Sequence, residues 1–330
     1  MIMATLIRTA TTIPTRRPTT RTGRARWRPT ARARTPATGR RPEVPIFDRI
    51  VMVDWSAAAT PTTGRDSIWI GETKRKPINM PTRFAAMTWL REVAQDAVDQ
   101  GRRLLIGFDF AFGYPVGVAA RFGGGWEAVW SWLAARANDA DSNANDRFAV
   151  AADFNARFPG VDGPLWGLPR RRTIEGVAAT KPATLPDGIP ARRAVERIVT
   201  NASPVWKLAY SGAVGSQTLL GIARLERWRR DPAFAGALAV WPFETEFADA
   251  LDAPVTLAEI YPSLFPVTPG EGEVKDAAQV CTLAEGFAAL DAAGALRPHL
   301  AGPSDPDARA VALAEEGWIM GVGDRALTLP

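Results

Sequence analysis

Two short apolar runs end on aspartate: Ile50-Val51-Met52-Val53-Asp54 and Leu104-Leu105-Ile106-Gly107-Phe108-Asp109. A buried strand that stops on a carboxylate delivers it to the crevice outside the strand ends, where open α/β sheets hold their ligands. Two such groups suit a hard divalent cation, because Mg²⁺ takes oxygen ligands and keeps several waters beside one or two carboxylates. Glu259 offers a third acid, in Leu257-Ala258-Glu259-Ile260-Tyr261 stopped by Pro262, and Glu244 in Trp241-Pro242-Phe243-Glu244 is its rival. Asp307 is a fourth candidate, although helix capping explains Ser304-Asp305-Pro306-Asp307 equally well.

Carboxylates carry this weight because softer ligands are scarce. The chain has one cysteine, Cys281, and one histidine, His299. An internal disulfide is impossible, no disulfide-linked partner is expected, and a Cys/His zinc site is excluded. Cys281 falls on an apolar helical stripe and reads as a small buried hydrophobe. His299, in Leu296-Arg297-Pro298-His299, reads as part of a loop leaving a helix.

Groups able to meet a phosphate are present without a diagnostic pattern. Ser211-Gly212-Ala213-Val214-Gly215-Ser216-Gln217-Thr218 could present helix N-terminal amides to an anion, but it lacks the Gly-Lys-Ser/Thr ending of a P-loop. Arg170-Arg171-Arg172, Arg192-Arg193 and Lys207 read first as solvated charge and only second as phosphate contacts. Of the twelve tryptophans, those at helical spacing such as Trp89 and Trp130 read as core rather than as base-stacking platforms.

Net charge is +5, yet the excess is confined to one end. Eleven of the 40 basic residues are arginines within residues 1–42, which contain no acid; the remaining 29 stand against 35 acids, a net of −6 for residues 43–330. Basicity is therefore no evidence that the folded part binds nucleic acid. Residues 1–45 are Thr, Arg, Pro and Ala with little apolar periodicity, and are expected to be disordered. Such a segment suits a basic nucleic-acid arm, an organelle presequence, or sequence upstream of the true start. No run approaches the ~18 apolar residues of a membrane span, and no secretory signal opens the chain, so a cytoplasmic location without membrane partners is expected.

The elements that must position the acids follow from periodicity. Phe47–Asp54 predicts a buried strand, and Pro61-Thr62-Thr63-Gly64 turns it into a returning strand at Asp66–Gly71. Helical spacing from Thr82 to Gln100 ends at Gly101 and leads into the second acid-tipped strand. Residues 123–204 read as an insertion: a Trp-rich helix near Trp126–Ala137, a polar loop at Asn138–Asp146, then Pro- and Gly-rich loops. Beyond it the pattern predicts helices at Ser216–Arg230 and Val274–Ala293, strands at Leu238–Phe243 and Leu257–Tyr261, and a last helix near Asp307. The alternation predicts an α/β fold, a mixed sheet flanked by helices, as one domain over residues 46–330.

Three segments resemble the DUF429 family, predicted nucleases with a ribonuclease H-like fold: Val51-Met52-Val53-Asp54-Trp55-Ser56, Ile106-Gly107-Phe108-Asp109-Phe110-Ala111-Phe112-Gly113-Tyr114-Pro115, and Glu259-Ile260-Tyr261-Pro262. Gly215-Ser216-Gln217-Thr218 and Asp307-Ala308 add weaker matches, and the resemblance runs from about Ile50 to Gly321. The chain departs from the family in placing Trp55-Ser56-Ala57-Ala58, not a Gly-rich turn, after Asp54, and in its Trp-rich insertion. The resemblance implies a ribonuclease H-like sheet and a hydrolase of phosphodiester bonds. In it Asp54, Asp109, Glu259 and Asp307 hold two cations, Mg²⁺ or Mn²⁺, that activate water; the candidate substrate contacts are Ser56, Lys207 and Gln217. The expected partner is nucleic acid or a phosphorylated small molecule. Similar chains are also labelled as molybdopterin-guanine dinucleotide or cobalamin biosynthesis proteins, so a small-molecule or pterin-cofactor protein using the same crevice is the competing expectation.

Overall fold

The two acid-tipped runs become neighbouring parallel strands at the centre of a mixed sheet. A computed structural model describes residues 44–159, 163–248 and 251–323. The residues from Pro42 onward form one compact unit; the expected disordered tail lies outside the described residues except for Val44 and Pro45. The sheet comprises β1 (Arg49–Asp54), β2 (Ile68–Glu72), β3 (Ile78–Met80), β4 (Leu104–Phe108), β5 (Leu238–Trp241) and β6 (Val255–Glu259), in the order β3-β2-β1-β4-β6-β5. β1, β2 and β3 run antiparallel in succession, whereas β1, β4, β6 and β5 pair in parallel. The predicted hairpin is present, and α/β is the observed class; β3 extends the hairpin by one strand that the pattern did not suggest.

Helices cover both faces: α1 (Arg83–Asp99), α2 (Trp126–Arg136), α3 (Arg147–Asn155), α4 (Ala194–Ile198), α5 (Val214–Arg229), α6 (Lys275–Ala292), α7 (Arg297–Leu300) and α8 (Pro306–Val311). Strand alternation sorts the core into two layers. Val51, Val53, Leu104, Ile106, Phe108, Val255 and Leu257 pack with α1, α2, α3 and α5. Ile50, Met52, Leu105, Ala258 and Ile260 pack with α6 and the carboxy-terminal Trp318–Val322 segment. Being covered on both sides, β1 and β4 read as continuous apolar runs rather than alternating ones.

Several local expectations are corrected. The insertion is not loop after residue 138, since α3 and α4 lie within it. β6 spans Val255–Glu259, two residues earlier than predicted, because buried Thr256 belongs to it. Cys281 is only partly buried on α6. His299 sits on the single turn of α7, not in a loop. The two tryptophans expected in the core are there: Trp130 is fully buried and Trp89, partly buried, packs against the same cluster.

Candidate functional site

Parallel register sets Asp54 beside Asp109. β1 and β4 pair from Arg49↔Leu104 to Val53↔Phe108, and one further step along both strands reaches the two acids. Alternation turns both away from the Val53/Phe108 side and toward the layer covered by α6. The Trp55 N–H donates to Asp109 Oδ1 (2.6 Å), and the Asp109 N–H donates to Val53 O (3.2 Å), which locks the two strand ends together. Behind them Trp55, Phe108, Phe110 and Phe112 form a row of tilted and edge-on rings, continued by Trp130. Gly221 on α5 leaves room for the Phe110 ring, since a Cβ there would stand 2.3 Å from it. Gln217, near the start of α5, donates its side-chain amide to Trp55 O.

The two carboxyls share a hydrogen bond and cannot both ionise at their ordinary pH. Burial pushes Asp109 up to about 6, against the lowering effect of the bonds it receives from Asp54 and the Trp55 N–H. Asp54 is held well above the usual carboxylate range, by burial first, then by the charge of Asp109 and its hydrogen bond, and further by Asp276 and Asp66. The pair therefore keeps a shared proton to higher pH than ordinary carboxyls do, with Asp54 as the donor.

Asp66 and Asp276 escaped the sequence reading. Asp66 follows the turn before β2 with a left-handed backbone (φ 57°), and its N–H donates to Asp276 Oδ2 (3.1 Å) in the first turn of α6. Both line the crevice of about 840 Å³ that contains Asp54 and Asp109. An acid in a first helical turn normally signals only a favourable interaction with the helix end, which is why Asp276 carried no signal.

Glu259 lines an adjoining hollow with Asp54 and Asp109, but its carboxylate is already engaged. Arg193 Nη1 and Nη2 donate to its two oxygens at 2.7 and 2.5 Å, and the Phe112 N–H donates to Oε2 at 3.0 Å. Alternation in β6 also aligns Glu259 with Val255 and Leu257 rather than with Ala258, the layer that Asp54 and Asp109 join. Arg193, read as solvated charge, is 2 % exposed and additionally binds Glu196 and the Glu316 carbonyl. The rival Glu244 is tied to Arg229 and to the Val240 N–H. Asp307 is exposed on the first turn of α8, outside the residues lining the crevice, while Asp305 caps that helix through the Ala308 N–H (2.9 Å).

Of the expected substrate contacts, Ser56 and Gln217 line the crevice and Lys207 does not. Ser56 Oγ donates to Asp66 O (3.0 Å) and accepts the Ala58 N–H (3.2 Å), bracing the segment after Asp54. Lys207 Nζ donates to Ser211 O (2.7 Å) beneath the crevice rim. Arg83, fully buried, donates to Ser56 O and Ala58 O (2.9 and 2.8 Å) and pairs with Asp139, which Arg224 also binds.

Among the described residues, no three of His, Cys, Asp and Glu are grouped to enclose a metal by themselves, and no helix is long and apolar enough to cross a membrane. No family model, curated protein or solved structure matches the chain.

Proposed function

We propose that the crevice at the ends of β1 and β4 is the active site of a divalent-cation-dependent phosphodiesterase or nuclease on a ribonuclease H-like sheet. The observation that carries this reading is the Asp54–Asp109 pair: two adjacent carboxyls forced to share a proton in an open crevice offer a cation the place of that proton. Asp54 and Asp109 would hold Mg²⁺ or Mn²⁺, with water and substrate oxygen completing the shell, as is usual for a cation bound through one or two carboxylates. Asp66 and Asp276 add negative potential, and Glu259, with Arg193, shapes the wall. A cation there would supply an activated water and neutralise charge on a phosphoryl oxygen. An antiparallel ribbon β3-β2-β1 continuing in parallel into β4 supports the ribonuclease H-like assignment, as do the DUF429-like motifs around the two aspartates.

The test is hydrolysis of single-stranded oligonucleotides and of an activated phosphodiester in Mg²⁺ or Mn²⁺. Asp54→Asn and Asp109→Asn should each lower cleavage by roughly a hundred-fold or more, as expected when a group stabilising the transition state is lost. Unchanged metal-dependent cleavage in Asp54→Asn defeats the reading.

A second reading is favoured by the net −6 of residues 43–330, which repels long polyanions. In it the crevice binds a nucleotide or pterin-like small molecule without cleaving phosphodiesters. Ligand binding in the absence of any metal-dependent turnover distinguishes it.

A further inference from the structure

The crevice that holds the two acids also carries an arginine that joins no ion pair among the described residues. Arg147, the first residue of α3, lines the same cavity as Asp54 and Asp109. Among the described residues it joins no ion pair: Nη1 donates to Asn145 Oδ1 (2.8 Å), and Nε is buried without a hydrogen-bond partner. Asp139, the carboxylate acting on it, already binds both Arg83 and Arg224. Arg147 and Arg172 each stack on the Phe148 ring, both with the guanidinium carbon 4.5 Å from its centroid, so a second cation adjoins the first. Burial, then the charges of Arg83 and Arg172, lowers the Arg147 pKa to about 10. A buried cationic donor without an acceptor, beside an open cavity, makes its strongest hydrogen bond to an anion's oxygen.

Tyr210 stands on the rim of that cavity. Its side chain is large, apolar and 59 % exposed, and its hydroxyl accepts the Arg170 N–H (2.7 Å), which fixes the ring. Its backbone is left-handed (φ 70°), which is uncommon for a bulky residue and clusters at ligand-holding positions. A presented aromatic ring is a stacking surface for a nucleobase.

We infer that Arg147 and Tyr210 form a nucleotide-holding subsite: the guanidinium takes a phosphate oxygen and the ring stacks on the base of a nucleoside phosphate, free or within a single strand. This rests on the crevice being the phosphodiester site proposed above, and it narrows the substrate class from phosphodiesters in general to nucleotides.

The test is titration calorimetry on the full chain in EDTA, so that binding is read apart from cleavage, with thymidine 5′-monophosphate, thymidine, inorganic phosphate and a short thymidine oligonucleotide. Arg147→Gln should weaken the monophosphate and phosphate by roughly ten-fold or more while sparing thymidine, with Arg147→Lys falling between. Tyr210→Ala should weaken the monophosphate and thymidine while sparing phosphate. Tighter binding of the oligonucleotide than of the monophosphate identifies a strand as the ligand; equal or weaker binding identifies the free nucleotide. Circular dichroism and melting of each variant confirm that it is folded. Failure of the wild type to bind any probe, or unchanged monophosphate binding in folded Arg147→Gln, overturns the inference. The two readings fail separately. Asp54-dependent cleavage with KM unaltered in both subsite variants removes the subsite and keeps the hydrolase, whereas Arg147-dependent binding without metal-dependent cleavage removes the hydrolase and keeps the subsite.

Discussion

At the residue scale the Asp54–Asp109 pair links stability to pH in a direction opposite to that of an ordinary salt-bridged carboxylate. Asp109 releases its proton near 6 in the folded chain, whereas an unfolded aspartate does so near 3.8. Between those values the folded state binds more protons than the unfolded one, so stability falls as pH rises; the Asp109 contribution is fully lost above about 6, and Asp54, also held above the usual range, continues the fall to higher pH. Asp109→Asn keeps an acceptor for the Trp55 N–H and removes the repulsion. In urea melts with EDTA it should exceed the wild type by an amount on the order of 1 kcal/mol at pH 7.5, with the gap shrinking toward pH 4.5. Adding Mg²⁺ should stabilise the wild type and not the variant, since an ion bound only by the folded state adds to stability by mass action. A gap independent of pH would show that the pair does not share its proton. These two acids were legible in the sequence because each closes an apolar run. Glu259 was legible as a strand-end acid, but its engagement was not: Arg193 lies 66 residues away in sequence and, written as Arg192-Arg193, resembles solvated charge.

At the element scale the site depends on how the segment after β4 is pinned. The Glu315 carboxylate accepts the Gly117 and Ala119 N–H groups (3.0 and 2.9 Å), and Glu316 accepts those of Val116 and Ala194 (2.9 and 2.6 Å). This π-helical turn, Ala312–Glu316, approaches so closely that a Cβ on Gly113 would stand 2.2 Å from Glu315 O. Backbone is the obstacle, so no rotamer relieves it. Gly113→Ala should cost about 1–3 kcal/mol, the usual range for overpacking, or more, and should lower metal-dependent cleavage by displacing the Phe112 N–H from Glu259. Denaturant melts together with cleavage rates check this; a variant of wild-type stability would mean that the turn yields freely. Such long-range stapling leaves no periodic trace. The two parallel strands followed from uninterrupted apolar runs, the hairpin from the turn residues between its strands and α1 from a period of 3.6, whereas β3 is only three half-buried residues and α3 was hidden by the polar segment before it. The two-residue shift of β6 came from Thr256, which looks polar and is buried.

At the scale of the whole molecule, charge divides where the fold divides. The unit from Pro42 onward holds both core layers and the crevice and is acidic on balance, whereas residues 1–42 contribute eleven arginines and no acid. On the proposed reading, long-range attraction to a polyanion would come from the first segment and recognition at the crevice from a few residues such as Arg147. Deleting residues 1–41 should leave the melting temperature and the Asp54-dependent cleavage of a short substrate unchanged. It should flatten the salt dependence of binding to long single-stranded DNA, because each phosphate neutralised by an arginine contributes about 0.7 to the slope of log K against log salt. Equal slopes with and without the segment would show that it makes no phosphate contacts. Loss of short-substrate cleavage on deletion would show that the segment contributes more than long-range attraction.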